Sequence, residues 1–402
     1  MRHAVIFTVC MLLAALPALA QLDGKTITVK GGKADVVNAP VSVACAEAAP
    51  AGRVVVTDAK GKKEYPATLA DGTLVFIVDK LKAGETKEFK VKTGAEGDPG
   101  VSLEKRAEGD IVDVKIDGKI FTAYHYGKEW KKPFLWPITS ENGVTLTRDY
   151  PMDPNGKPQD HPHHKSMWSA YGDINGVDLW AEGENSGTQT AQEVTWGSGD
   201  AYGWIKSKNL WVDGAGKPVL SETREYRFYA TPEAARFIDV NVTFTADQGD
   251  VQFNDTKEGG IVAVRMRHEM CNKNAVITNA LGDKDEENCW GKPSPWCDFS
   301  AELKGSGWFG ITIFDNPGNL RFPGSWHVRA YGLMGANSFG YSFYNEKAYN
   351  KGLIPERGDM PLKSGESKAF NYRVYVHAGD VEKARVADRF ANYAEAPAAE
   401  IK

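Results

Sequence analysis

The sequence predicts an all-β protein: a small N-terminal β-sandwich, a much larger second β domain, and one helix near the C-terminus. Three observations carry this reading. Short runs with period-two alternation recur along almost the whole chain, helical spacing emerges only near its end, and the aromatic composition changes abruptly near residue 100. All eleven tryptophans lie at or after Trp130, whereas residues 21–100 hold a single tyrosine, Tyr65. A length of 402 residues suits about two domains.

Residues 1–20 read as a secretory leader. Arg2 supplies a positive start, residues 4–16 an apolar run, and Ala18-Leu19-Ala20 a small-x-small cleavage site. The expected location is therefore periplasmic or extracellular. No later segment approaches a membrane-spanning length. Within 21–100, "KTITVK", "VSVACA", "RVVVTD", "TLVFIVD" and "EFKVKT" are separated by turn residues, as in a small immunoglobulin-like sandwich. "TGAEGDPG" (93–100) links it to the second domain, 101–396. There "DIVDVKI", "KIFTAYHY", "ETREYRFYA", "RFIDVNVTFTA", "FGITIFD" and "KAFNYRVYVHA" mostly alternate, as strands of large antiparallel sheets do. In "GDVEKARVADRFANYAEAP", Asp380 is the expected cap, and Val386, Phe390 and Tyr393 recur at helical spacing before Pro397.

The net charge is −5 and no basic stripe occurs, which argues against a nucleic-acid partner. Neither a Walker motif nor a dinucleotide fingerprint is present, so no cofactor is expected. Beyond the leader stand Cys45, Cys271, Cys289 and Cys297. Export permits disulfides, and Cys289 with Cys297 is the favoured pair, with Cys271 as competitor.

Chemistry concentrates in "QDHPHHKSMWSAYGDINGVDLWAEGE" (159–184), where three of eight histidines fall within four positions. In an extended chain His161 and His163 project together while His164 points away. That pair is also the alternative metal site, needing further ligands from elsewhere. Asn175-Gly176 signals a tight hairpin turn. Asp173-x-Asn175 resembles the start of a calcium loop, but its glycine comes too early. Asp178, Trp180 and Glu182 alternate after the turn, placing an aromatic plane between carboxylates, a surface suited to a sugar ring. Farther on, "KEGGIVAVRMRHEM" (257–270) presents Arg265 with His268 at its end, and "WGKPSPWCDF" (290–299) is a rigid loop with Trp290 and Trp296. "PGSWHVRAYG" (323–332) puts His327 and Arg329 opposite Trp326 and Val328, poised for an ion pair or an anionic ligand group.

Taken together, "PFLWPITSENGVTLTRDYP", "DHPHHKSMWSAYGDINGVDLW", "EGGIVAVRM", "WGKPSPWCDFS" and "WHVRAYGLMGAN" resemble the exported bacterial family labelled "methane oxygenase PmoA-like". The chain has no spanning segment after its leader, so oxygenase activity is not part of the reading. The opening "PFLWPI…HPHH" is also similar to galactose-mutarotase-like proteins. That likeness implies a large β-supersandwich, with a histidine that donates a proton to the ring oxygen and a carboxylate that takes one from the anomeric hydroxyl. Carried onto this chain, the histidine is His163 or His164, with His268 second, and the carboxylate is Glu258 or Asp178.

The expected activity is acid–base chemistry on a sugar or glycoside. The expected substrate contacts are Arg148, Asp160, His161, Lys165, Trp168 and Asp173. To these are added Trp180, Arg265, Trp290, Trp296, His327 and Arg329. Simple sugar binding and metal-dependent hydrolysis through His161 and His163 are the alternatives. On the alternation argument His163 faces the cleft and His164 the core.

Overall fold

The computed structural model describes residues 22–402 except 48–52, 96, 233–234, 347–349 and 351–355. The leader read at 1–20 lies outside the described residues. Mostly β-sheet, as the alternating runs require, the chain builds three antiparallel sheets of seven or eight strands. Among the described residues no helix is long and apolar enough to cross a membrane.

The first sheet orders Val36–Ala44, Thr73–Leu81, Glu64–Ala70, Arg53–Asp58, Thr86–Ala95, Thr26–Lys30 and Ala398–Ile401. It curls until its two edge strands lie close together and encloses its own core of Ile27, Val41, Val56, Phe76 and Phe89. The C-terminal strand, unforeseen in the sequence, returns to pair with Thr26–Lys30. Thr86–Ala95 belongs to this sheet and Val101–Lys105 to the next, so the chain changes sheets across the Gly/Pro segment. The two units also touch. Val75 and Ile77 pack with Ala201, Tyr202 and Phe237, Arg53 pairs with Asp200 at 2.8 Å, and Thr68 accepts from the Ala201 amide at 2.9 Å.

The two eight-stranded sheets pack face to face. One runs from Ser325–Arg329 through Leu333–Asn337, Gly259–Arg265, Met167–Tyr171, Phe134–Leu135 and Lys119–His125 to Ile111–Ile116 and Val101–Lys105. The other contains the long strands Tyr202–Val212, Pro218–Tyr229, Ala235–Thr245 and Ser367–Ala378. Between them Val114, Tyr124, Met167, Val264 and Trp326 meet Ile205, Tyr226, Val240, Ile313 and Val374 in one continuous core. Alternation sends one face of each strand inward, and burial of that face is the main stabilising term.

The expected helix forms over Val386–Ala394, with Val386, Phe390 and Tyr393 against the apolar cluster that joins the two units. Asp380 does not cap it. Its carboxylate accepts from the Lys383 amide at 2.9 Å and closes the preceding turn, and the helix starts after Arg385, whose φ is 53°. The expected disulfide is corrected: Cys45, Cys271, Cys289 and Cys297 are all buried free thiols.

Candidate functional site

The outer face of the first eight-stranded sheet carries a row fixed by strand register. Reading across, His125 opposes Phe134, Phe134 opposes Trp168, Trp168 opposes Ala263, Ala263 opposes Gly335, and Gly335 opposes His327. Two small residues between two large rings leave a trough. Trp180 fills it, with ring centroids 5.5 Å from Trp168 and 6.2 Å from His327. Two residues along each strand, Arg265 and Arg329 flank Leu333 on the same face. The predicted placement of His327 and Arg329 opposite Trp326 and Val328 is what the structure shows, with Trp326 and Val328 in the core.

Over this face lies a pocket of about 550 Å³, within the range of small-molecule sites. It is lined by His161, His163, His164, Asp178, Trp180, Glu258, His327 and Arg329, all singled out in the sequence. Lys257, Glu286 and Tyr331 join them.

The histidine segment is a turn and not a strand. The His164 amide donates to the His161 carbonyl at 3.0 Å, and His161 has φ of 40°. Alternation therefore fails, and the separation of His163 from His164 onto opposite faces is corrected. All three rings converge, with centroids 5.8 Å (His161–His163), 5.0 Å (His161–His164) and 4.3 Å (His163–His164) apart. His164 is 1% exposed and lies between Trp168 and Trp180. Its Nδ1 faces Arg265 Nη1 at 2.7 Å. A guanidinium only donates, so Nδ1 accepts and the ring hydrogen sits on Nε2. With that lone pair engaged, and with the His161 and His164 rings stacked, the cluster offers no converging ligand set. Among the described residues no three His, Cys, Asp or Glu side chains are arranged to hold a metal.

Two ion clusters with buried cations support the turn. Asp160 pairs with Arg148 and Arg265, each at 3.1 Å. Glu182 pairs with Lys165 and, at 2.9 Å, with Lys132, whose Nζ also donates to the Trp180 carbonyl at 2.8 Å. Glu182 thus turns inward instead of flanking Trp180, because the chain after Trp180 is irregular and Glu182 itself has φ of 58°. Trp180 is 1% exposed, which makes it a buttress for the imidazoles and not an open stacking plane. The Asn175-Gly176 turn is present, with φ of 55° and 82°.

Other predicted residues lie apart from the pocket. His268 is exposed on a short 3-10 turn, His268–Met270, beyond the strand end. Asp173 holds the hairpin, accepting from the Gly176 amide at 2.9 Å and the Asn254 side chain at 2.8 Å. Trp296 belongs to the cluster between the two units, and Trp290 lies under the Arg329 guanidinium at 5.0 Å. Asp178 stays in the wall, but its Oδ1 accepts from the amides of Trp180 and Ala181 at 2.8 and 3.0 Å, a turn-forming role. Arg329 meets Glu286 at 2.8 Å, delivered by the short helix Asp285–Cys289.

Burial keeps the imidazoles of His163, His164 and His327 neutral. It lowers His163 to about 4, helped by the Lys132 charge, and His327 to about 3, helped by Arg329. His164 is driven well below its ordinary value by burial and then by His163 and Arg265. His125, outside the pocket, falls to about 4 for the same first reason. In the unfolded chain these groups take up protons near about pH 6.5. The folded state binds fewer protons as pH falls from there toward 4, so stability drops across that window and is flat just above it. A urea midpoint that declines steeply from pH 6.5 to 4.5 is expected; a constant or rising midpoint contradicts neutral buried imidazoles.

No curated relative matches the sequence. Among solved structures, the chain is similar to galactose 1-epimerase from Lactobacillus acidophilus NCFM. The identity is 8% and the TM-score 0.34, over 70% of this chain and 100% of that one. A family model described as a family of unknown function (DUF6807) matches residues 111–391, a span that contains the whole pocket and both large sheets except the edge strand Val101–Lys105. That description names no activity, and the match does not carry the methane-oxygenase label. The chain belongs to this family of unknown function, DUF6807.

Proposed function

We propose that the outer-face pocket binds a sugar or glycoside in an exported protein, and that neutral imidazoles and a carboxylate perform acid–base chemistry on it. The observation that carries this reading is the composition of one cavity: neutral imidazole N–H donors, rim carboxylates and the half-buried Tyr331 ring around about 550 Å³. A sugar presents C–H faces that suit rings and hydroxyls that suit imidazole N–H groups and carboxylates. His164 is the donor. Its protonated Nε2 is polarised by the Arg265 guanidinium on the opposite nitrogen, and a neutral imidazole held this way can stabilise charge on a ring or carbonyl oxygen. Glu258 is the base, with its side chain 42% exposed at the pocket and Lys257 at 3.5 Å.

Calorimetry with a panel of monosaccharides and disaccharides tests the reading, followed by NMR of any ligand for bond cleavage or exchange at its carbons. Saturable binding that weakens in Glu258→Gln is expected. A folded protein that binds no member of the panel overturns it. Dialysis against a chelator is expected to leave the melting temperature and the sugar affinity unchanged; loss of both would favour a metal-dependent hydrolase instead.

A further inference from the structure

The two clusters behind the histidines have more positive than negative charge. The side chains of Lys132, Lys165, Arg148 and Arg265 are 1%, 2%, 1% and 2% exposed, yet among the described residues only Glu182 and Asp160 pair with them. Their other hydrogen-bond partners are the carbonyl oxygens of Trp180, Pro162, Pro158 and Asp160 and, for Arg265, the His164 ring nitrogen, none of which supplies charge. Asp178, the next carboxylate, is half-buried on the pocket wall and engaged by two amides. The rim carboxylates do not offset the excess, because Glu258 and Glu286 each have a cation of their own, Lys257 and Arg329. In the core between the sheets Arg224 is matched by Glu222, and on the far face of the second sheet, among Tyr229, Phe237 and Tyr393, Arg373 is matched by Asp239. An excess of buried charge is costly, and a ligand of opposite sign is one way to offset it. The excess acts where a ligand would rest: after burial, Lys132 is the main influence on His163, and His163 and Arg265 on His164.

We propose that the ligand of this pocket is an acidic sugar, whose carboxylate docks against His163 and His164 in front of these two cation-rich clusters. This deepens the sugar reading and rests on it. The neutral rings supply donors without adding charge, and the guanidinium and ammonium groups behind them supply the field in a site where solvent screening is weak. The rim pair of Glu258 and Lys257 then faces the far end of the sugar.

Calorimetry on the intact protein near neutral pH, with the matched pairs glucuronate and glucose, galacturonate and galactose, tests this. Acetate and inorganic phosphate serve as ring-free anions. At least one acid should bind about tenfold or more tighter than its neutral partner. Lys165→Met should narrow that preference, and the wild-type pairs decide the matter even if this variant does not fold. Equal affinity within both pairs overturns the acidic class and leaves the sugar reading standing. Acetate or phosphate binding as tightly as the uronates means that the ring contributes nothing, which overturns the sugar reading and with it the acidic sugar. No binding by any probe overturns both.

Discussion

Glu182→Gln is expected to lower folding stability by about 3–5 kcal/mol near neutral pH, the cost of breaking a buried ion cluster on one side only. Glu182 is the carboxylate shared by Lys132 and Lys165, and both ammonium groups are almost wholly enclosed. Burial, opposed by Glu182, already lowers Lys165 to about 8, and it lowers Lys132 as well. Without the carboxylate, at least one lysine must be buried neutral. In the unfolded chain a lysine holds its proton up to about pH 10.4, so the loss is full at neutral pH and shrinks as pH rises toward that value. Urea denaturation at pH 7 and pH 9.5 measures this. Equal losses at the two pH values, or a loss below about 1 kcal/mol at pH 7, would show that Glu182 is not holding the lysines.

His164→Gln is expected to reduce turnover of a bound sugar by about 10²–10⁴, the usual contribution of a positioned proton donor. His163→Gln should cost less, because among the described residues no side chain fixes its tautomer as Arg265 fixes that of His164. A glutamine at 164 can still accept from Arg265, so that variant should fold. His164→Phe leaves the guanidinium N–H unpaired and should be less stable by about 1–3 kcal/mol. Rates of both glutamine variants, with melting curves for all three, separate the roles. A larger rate loss at His163 than at His164 would reverse the assignment.

What the sequence made legible were patterns that depend on local chain geometry. Alternation in the long strands gave the sheets, Asn175-Gly176 gave its turn, and "SWHVRAYG" put His327 and Arg329 on the face away from the core. Continuing that same period by two residues reaches Tyr331, which lines the pocket and was not singled out. The failures came where the chain leaves regular structure. Alternation assigned opposite faces to His163 and His164, whereas a turn with positive φ at His161 gathers all three rings. His268 sits just past a strand whose register ends at Arg265, so its neighbourhood in sequence says nothing about its place in space. Glu286 lies in the acidic run "KDEEN" and Lys132 in "EWKKP", where the neighbouring residues give no sign of a distant charged partner. Only the tertiary fold brings Glu286 to Arg329 and Lys132 to Glu182.

The central claim is that the histidine cluster on the outer face of the sheet is where a sugar meets the protein. NMR with labelled histidine follows the imidazole signals of His161, His163 and His164 directly, and a titration with the tightest sugar of the panel is the most direct test. The account predicts saturable shifts at His163 and His164 but not at the exposed, distant His268, and their disappearance in His164→Gln at the same sugar concentration. Binding that leaves the three cluster signals unmoved, or that persists at full affinity in both His163→Gln and His164→Gln, would contradict it.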